Sequence, residues 1–235
     1  MSAIFITGNS RGLGLGLTRH YLDKGDRLYS LSRSECPVKH ANLQQIRQDL
    51  SQLDQIEQSL QSLLPDAPDL VILNAGILGQ IKDLTDTSMP EIKTLMDINV
   101  WSNKLVIDWL IKHNIKVKQL IIISSGASVN GNRGWGAYSI SKAAVNMMAK
   151  LYVDEMPGTH ITTYAPGLVH TGMQDYLCRE VDSIKYPSIA SLISAYQTEF
   201  MPDIEIAAGL IAGSFEKCLQ FDSGSFVDIR QLTAS

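Results

Sequence analysis

The first fourteen residues constrain the chain most. Ala3–Thr7 (AIFIT) is a short apolar run of the kind that forms a buried strand, and it leads directly into Gly8, Asn9, Ser10, Arg11, Gly12, Leu13 and Gly14. Residues 15–24 then carry a helical pattern that Gly25 ends. Strand, glycine loop and helix, in that order, form the setting in which a dinucleotide pyrophosphate lies on a helix N-terminus. Gly8 allows the tight turn, Gly12 lets the backbone approach phosphates, and Gly14 lets helix and strand pack closely. The alternative is that all of these are turn and packing glycines without a ligand.

The remainder continues the alternation. Residues 27–32 (RLYSLS), 42–48, 69–73 (DLVIL), 118–124, 160–164 and 224–229 (GSFVDI) read as strands. Residues 51–64, about 90–113, 136–156 and 204–218 read as helices. Pro65 ends the first of these, and Ser88 is a plausible N-cap for the second, with Pro90 and Glu91 in its first turn. Residues 172–200 read as irregular or as short helices, with Met173, Tyr176, Leu177, Tyr186, Leu192 and Tyr196 as their apolar elements. No linker, repeat or low-complexity tract interrupts the pattern. Alternating strands and helices predict an α/β fold, a doubly wound parallel sheet covered by helices on both faces, as a single domain over residues 1–235.

Composition removes several classes of function. Hydrophobic content of 45% and charged content of 19% over 235 residues are ordinary for a chain with a sizeable core. A net charge of −4 without a basic cluster argues against nucleic acid as a partner. The three cysteines, Cys36, Cys178 and Cys218, are scattered, which fits a reducing compartment and offers neither a disulfide framework nor metal spacing. No apolar run has the length to span a membrane, and the N-terminus enters a strand without a basic-then-apolar leader. A cytoplasmic protein is expected.

The chemistry concentrates in residues 124–142, SSGASVNGNRGWGAYSISK. Tyr138 and Lys142 are four apart, so on a helix they share a face. A lysine ammonium one turn from a phenol favours the phenolate and draws its pKa from about 10 toward neutrality, where it can exchange a proton. Ser125 precedes Tyr138 by 138 − 125 = 13 residues and follows an apolar strand, where its hydroxyl could hold a carbonyl oxygen. Asn99 lies among apolar residues in a helix, so its amide is either bonded structurally or marks a functional kink. Ser32 and Arg33 end the second strand where a carboxylate would hydrogen-bond a ribose 2′-hydroxyl. With no acid there, and with Arg11 in the glycine loop, two guanidiniums favour a 2′-phosphate and hence NADP(H) over NAD(H). Asp49, followed by Leu50, either accepts from the adenine amino group or caps the next helix. Asn74-Ala75-Gly76 puts small residues at a strand's carboxyl end, suited to close approach of a ligand.

Taken together these motifs resemble the short-chain dehydrogenase/reductase family, in its single-domain branch, over nearly the whole chain. They are TGxxxGxG (Thr7 to Gly14), NAG (Asn74 to Gly76), Asn99, Ser125, YxxxK (Tyr138, Lys142) and PGxVxT (Pro166, Gly167, Val169, Thr171). The resemblance implies a Rossmann-type sheet of about seven strands. It implies that Tyr138 is the general acid in reduction and the base in oxidation. Lys142 would lower its pKa and hold the nicotinamide ribose, Ser125 would hold the substrate oxygen, and Asn99 would hold a water in a proton relay from Lys142. Pro166, Val169 and Thr171 would fix the nicotinamide carboxamide. The cofactor contacts carried over are Gly8, Ser10, Arg11, Gly12, Leu13, Gly14, Ser32, Arg33, Asp49, Leu50, Asn74, Ala75, Gly76, Asn99, Tyr138, Lys142, Pro166, Gly167, Val169 and Thr171, with no metal. Within the family, the segment 164–174, Gly134-Trp135 and the short end GSFVDI are similar to the group around sepiapterin reductase and benzil reductase, which implies a ketone or dicarbonyl substrate reduced with NADPH. Only residues 230–235 follow the last strand, so a substrate lid is expected at about 172–200, and pairing through the two long helices implies a homodimer or homotetramer.

Substrate contacts are less determined. Ser125 and Tyr138 would meet the substrate; Trp135 lines the pocket or packs a loop, and Met173 and Tyr176 face substrate or form the lid's core. His170 is expected to point to solvent and Cys178, lacking a base partner, to be inert. A regulatory or redox-sensing NADP(H)-binding protein on the same fold is the alternative, though such proteins often lose the tyrosine or lysine. An epimerase usually carries a TGxxGxxG loop and a substrate domain, and an enoyl reductase a wider Tyr-to-Lys gap.

Overall fold

Phe5 at the centre of β1 (Ala3–Thr7) faces one side of the sheet and Ile4 and Ile6 face the other, and all three are fully buried. That is the mark of a strand covered twice. In the computed structural model, which describes residues 1–64 and 67–232, β1 enters α1 (Gly12–Asp23) and returns as β2 (Arg27–Ser32), parallel to β1. β3 (Leu43–Arg47), α2 (Ile56–Leu63), β4 (Leu70–Leu73), α3 (Met89–Met96) and α4 (Ser102–Lys112) follow. Then come β5 (Gln119–Ile123), α5 (Gly136–Tyr152), β6 (His160–Ala165), α6 (Gly172–Arg179), α7 (Ser188–Ala195), α8 (Ile204–Cys218), β7 (Ser225–Asp228) and α9 (Ile229–Leu232).

The seven strands lie in the order β3-β2-β1-β4-β5-β6-β7, every pair parallel. This is the Rossmann-type doubly wound sheet, and the strand order reverses between β1 and β4. One core joins Phe5, Leu31, Val71 and Ile122 to α2, α4 and α5; the other joins Ile4, Ile6, Ile72 and Ile121 to α1 and α8. A third cluster, Leu78, Ile81, Leu95, Ala137, Tyr138, Leu177, Tyr186 and Ile189, packs α6 and α7 onto the mouth of the crevice. Among the described residues no helix is long and apolar enough to cross a membrane.

Several expected boundaries move. The helix expected over about 90–113 is broken: α3 ends at Met96, a π-helical turn spans Asp97–Trp101, and α4 follows. Ser88 does cap α3, its hydroxyl accepting from Glu91 N while the Glu91 carboxylate accepts from Ser88 N (2.9 Å). The stretch 51–64 begins as a 3₁₀ turn (Leu53–Gln55) before α2; Pro65, expected to end it, lies outside the described residues. α5 stops at Tyr152, four residues short of the expected end. The last strand gives way to α9, which sequence periodicity did not suggest.

Candidate active site

The carboxyl ends of β1, β4, β5 and β6 bring the singled-out residues to the point where the strand order reverses, the crevice in which open parallel sheets bind ligands. The glycine loop packs there without room for side chains. A Cβ on Gly14 would lie 2.1 Å from Gly8 O and 2.5 Å from Asn74 Nδ2, closer than atoms can approach, and Gly8 holds φ at +76°. Asn74 Nδ2 donates to Thr7 O and Gly8 O (both 3.0 Å), and the Thr7 hydroxyl accepts from Asn74 N (3.0 Å) and Ala75 N (3.1 Å). Thr7 thus locks the ends of β1 and β4 together. Sequence reasoning quoted it only as the first letter of a motif.

Gly12 lies beside Thr171, whose methyl would be 3.4 Å from an added Cβ. Gly76 lies beside Asn99 and Lys142: an added Cβ would meet Asn99 Oδ1 at 3.3 Å and Lys142 Nζ at 3.4 Å. The loop after β1, the turn after β4 and the segment after β6 therefore line a cradle that side chains would fill, which fits a dinucleotide. The residues that could hold it are those of the glycine loop, Asn74–Gly76, Lys142 and Pro166–Thr171. Arg11 takes the N-cap position of α1 and Arg33 follows β2, both exposed, while Ser32 is buried. Among the described residues ion pairs occupy Arg19, Arg133, Arg179 and Arg230, not Arg11 or Arg33. Asp49 accepts from Ser51 N (3.0 Å) and Ser51 Oγ (2.9 Å), a local turn rather than a helix cap. Leu50 is buried in the core.

Tyr138 and Lys142 share one face of α5 and both are buried. Lys142 Nζ donates to Ile123 O (2.8 Å) and lies 5.8 Å from the Tyr138 ring centre. Burial pushes the Tyr138 phenol up, and its hydrogen bond with Ser125 works the other way. The lowering expected from Lys142 does not set the phenol's pKa: the largest cause is desolvation, and what opposes that is the Ser125 bond. Burial also lowers Lys142 itself, to about 8. Ser125 is extended and opens a 3₁₀ turn (Gly126–Ser128), its Oγ accepting from Ala127 N (3.1 Å).

Asn99 sits in the π turn with no exposure. Its Oδ1 accepts from Ile77 N (2.8 Å), and its Nδ2 donates to Ile77 O (2.9 Å) and Ser141 Oγ (3.0 Å), which in turn donates to Tyr138 O (2.7 Å). The amide is fully bonded, the structural reading of this asparagine, and the helix is distorted where that bonding occurs. Asn103 Nδ2 donates to Asn99 O (2.8 Å), and Ser102 Oγ to Ile98 O (2.7 Å), serving carbonyls within the distorted turn.

Trp135 packs its loop, the second of the two expected readings. Its ring is tilted against Tyr138 (centres 6.2 Å apart), and its Nε1 donates to Ser188 Oγ (2.9 Å), tying the loop to α7. Met173 and Tyr176 pack in the third cluster, and the Tyr176 hydroxyl accepts from Ile81 N (3.2 Å). His170 is partly exposed, as expected, but its ring is also held: Nδ1 meets Asp203 (3.1 Å), Nε2 meets Asp175 (3.3 Å), and it stands edge-on to Tyr196. α9 also reaches the site, with Ile229 against Gly167 and the Arg230 guanidinium near Gly126. Burial raises the Cys178 thiol, consistent with an inert residue.

Comparison with known proteins agrees with this geometry. The family description short chain dehydrogenase matches residues 2–182. An uncharacterized oxidoreductase of Schizosaccharomyces pombe is 34% identical over 73% of this chain and 72% of its own. The benzil reductase ((S)-benzoin forming) of Bacillus subtilis is 28% identical over 98% of this chain and 99% of its own. In structure, a short chain dehydrogenase family protein of Francisella tularensis superposes with a TM-score of 0.82 over 97% of both chains at 22% identity, a likeness of fold.

Proposed function

Because the chain belongs to the short chain dehydrogenase family and is an oxidoreductase of it, we propose that it reduces a ketone or vicinal dicarbonyl to an alcohol with NADPH. The observation that carries this reading is the meeting of Tyr138, Ser125 and Lys142 at the carboxyl end of the sheet, beside the Gly76 cradle. NADPH, when bound, supplies the hydride. Ser125 Oγ holds the substrate oxygen, and Tyr138 gives it the proton. A phenol held protonated by burial is in the state a donor needs at neutral pH. Lys142 holds the ribose hydroxyls and favours the phenolate left after transfer. The Asn99–Ser141–Tyr138 O chain fixes α5 against the turn after β4.

Arg11 and Arg33 support NADP(H) because both are exposed near the place where a 2′-phosphate would lie and neither is committed to a carboxylate. We take residues 172–200 as the substrate lid of one domain. The aromatic wall of Trp135, Tyr176 and Tyr186, with the benzil reductase relatives, supports a bulky aromatic dicarbonyl as substrate.

The test is NADPH oxidation at 340 nm against benzil, an isatin, sepiapterin, an aliphatic ketone and a 3-ketoacyl thioester. Tyr138→Phe should lose turnover ~10²–10⁴-fold, the usual worth of a positioned proton donor, while still binding NADPH. A fully active Tyr138→Phe enzyme would sink the mechanism. Tight NADPH binding with no substrate turned over would favour the regulatory alternative.

A further inference from the structure

α5 is joined to the segment after β5 at three successive turns. Tyr138 is hydrogen-bonded to Ser125. One turn on, Lys142 Nζ donates to Ile123 O (2.8 Å). One turn further, Asn146 bonds twice: its Oδ1 accepts from Ser124 Oγ (2.7 Å) and its Nδ2 donates to Ser128 Oγ (2.8 Å). The Ser128 hydroxyl then donates to Ser125 O (2.6 Å), and Ser128 N donates to the same carbonyl (2.9 Å). One amide side chain therefore grips the residue before Ser125 and, through Ser128, the carbonyl of Ser125 itself.

These three links are not equivalent. Under the proposed function, the Tyr138 and Ser125 hydroxyls exchange partners when substrate arrives, and the Lys142 ammonium is wanted at the cofactor ribose. Bonds that are traded during turnover cannot hold a register. Asn146 is asked for nothing else. Both of its polar ends are satisfied within the protein, an amide carries no charge to titrate, and its spacing of four from Lys142 continues the stripe that carries Tyr138. The donated hydrogens also run in one consistent direction, Ser124 to Asn146, Asn146 to Ser128, and Ser128 to Ser125 O.

We infer that Asn146 is a positioning residue, which pins the 124–128 turn to α5 and so keeps the Ser125 hydroxyl within hydrogen-bond reach of Tyr138 while substrate comes and goes. Its effect on rate rests on the reductase reading; the pin itself rests on geometry alone. Ser125 Oγ is already oriented by Ala127 N, so a turn released from α5 moves the hydroxyl as a unit. Displacements of an ångström at a reacting group are costly in rate.

The experiment compares the parent enzyme with Asn146→Leu, which keeps the branched shape and removes both polar ends, and with Ser128→Ala, a milder variant at a partly exposed site. Asn146→Leu should lower kcat about tenfold, with KM for NADPH held within about twofold. The alkaline limb of its pH–rate profile should move upward, since the phenol loses the Ser125 bond that opposes its burial. Ser128→Ala should show part of the same loss, and the double variant should be no worse than Asn146→Leu alone, because both break one chain. Hydrogen exchange supplies a readout independent of turnover: amides in residues 125–129 should exchange about tenfold faster in Asn146→Leu, with those of the distal half of α5 unchanged.

The inference is overturned if kcat stays within about twofold while the melting temperature falls, or if exchange rises evenly along α5. It is also overturned if NADPH binding weakens as much as kcat. Should the parent reduce no carbonyl, the reductase reading fails, and the exchange comparison still decides the pin.

Discussion

Burial of a phenol and burial of a lysine oppose their charged forms in opposite ways, and the site uses both. Tyr138 is pushed toward staying protonated, and Lys142, lowered to about 8, still carries its charge at neutral pH. Under the proposed function, a phenol held protonated beside a cation that favours the departing anion would suit reduction better than oxidation near pH 7. At the other end of the crevice, the proposed reader of a cofactor 2′-phosphate is Arg33. Arg33→Asp replaces a cation by an anion where a 2′-phosphate would lie. It should weaken NADPH by ~10–100-fold, the worth of one or two charge-assisted hydrogen bonds, and leave NADH nearly unchanged. Fluorescence titration with the two cofactors checks this, and equal loss for both would mean that Arg33 does not read the phosphate.

At the scale of elements, the segment from α6 to α8 is held by two clasps. Asp83 takes Arg133 through two bonds of 2.7 Å and Lys185 at 3.6 Å, with both cations beside the Tyr186 ring. On the other side, His170 lies between Asp203 and Asp175, and Asp175 also takes the Tyr196 hydroxyl and faces Arg179. The Asp203 bond is the main cause raising the His170 pKa above 6.5; desolvation opposes it, and Asp175 adds to the rise. A histidine raised on folding contributes its stability below the unfolded value of 6.5, and that contribution is lost as pH rises through the higher folded value. The clasp should therefore be closed at pH 6 and loosen toward pH 8. Chymotrypsin cleavage after the exposed Phe200, divided at each pH by the protease's rate on an unstructured peptide, should quicken over that range in the parent protein and be fast and flat in His170→Gln. An unchanged pH response in His170→Gln would remove the histidine from this role.

At the scale of the molecule, the sheet, its order of helices and the gathering of Gly8, Asn74, Ser125, Tyr138 and Lys142 were legible because each rests on local pattern: period, glycine spacing, and YxxxK on one helix face. What was not legible depends on partners far apart in sequence. The π turn at Asn99 is set by Ile77 and Ser141, the His170 clasp by Asp203, and the approach of α9 to Gly126 and Gly167 by the way the chain end folds back. None of these contacts has a periodicity to read. The same holds for what the outer face of α5 meets. Ile140, Met147 and Leu151 are 46%, 56% and 65% exposed, and their spacing of seven and then four puts them on one stripe, with the exposed Trp101 on the neighbouring π turn. Apolar side chains in a row on a long helix are costly to leave in water and mark an interface. The pairing of chains expected through the long helices would bury this stripe against its own copy, as a two-fold contact requires. The double variant Met147→Glu/Leu151→Glu should then shift the protein to monomers in light scattering after gel filtration, with its circular dichroism unchanged, since neither side chain is part of a core. An oligomeric parent whose mass the variant keeps would pair through some other face, and a parent already monomeric would refute pairing through this stripe.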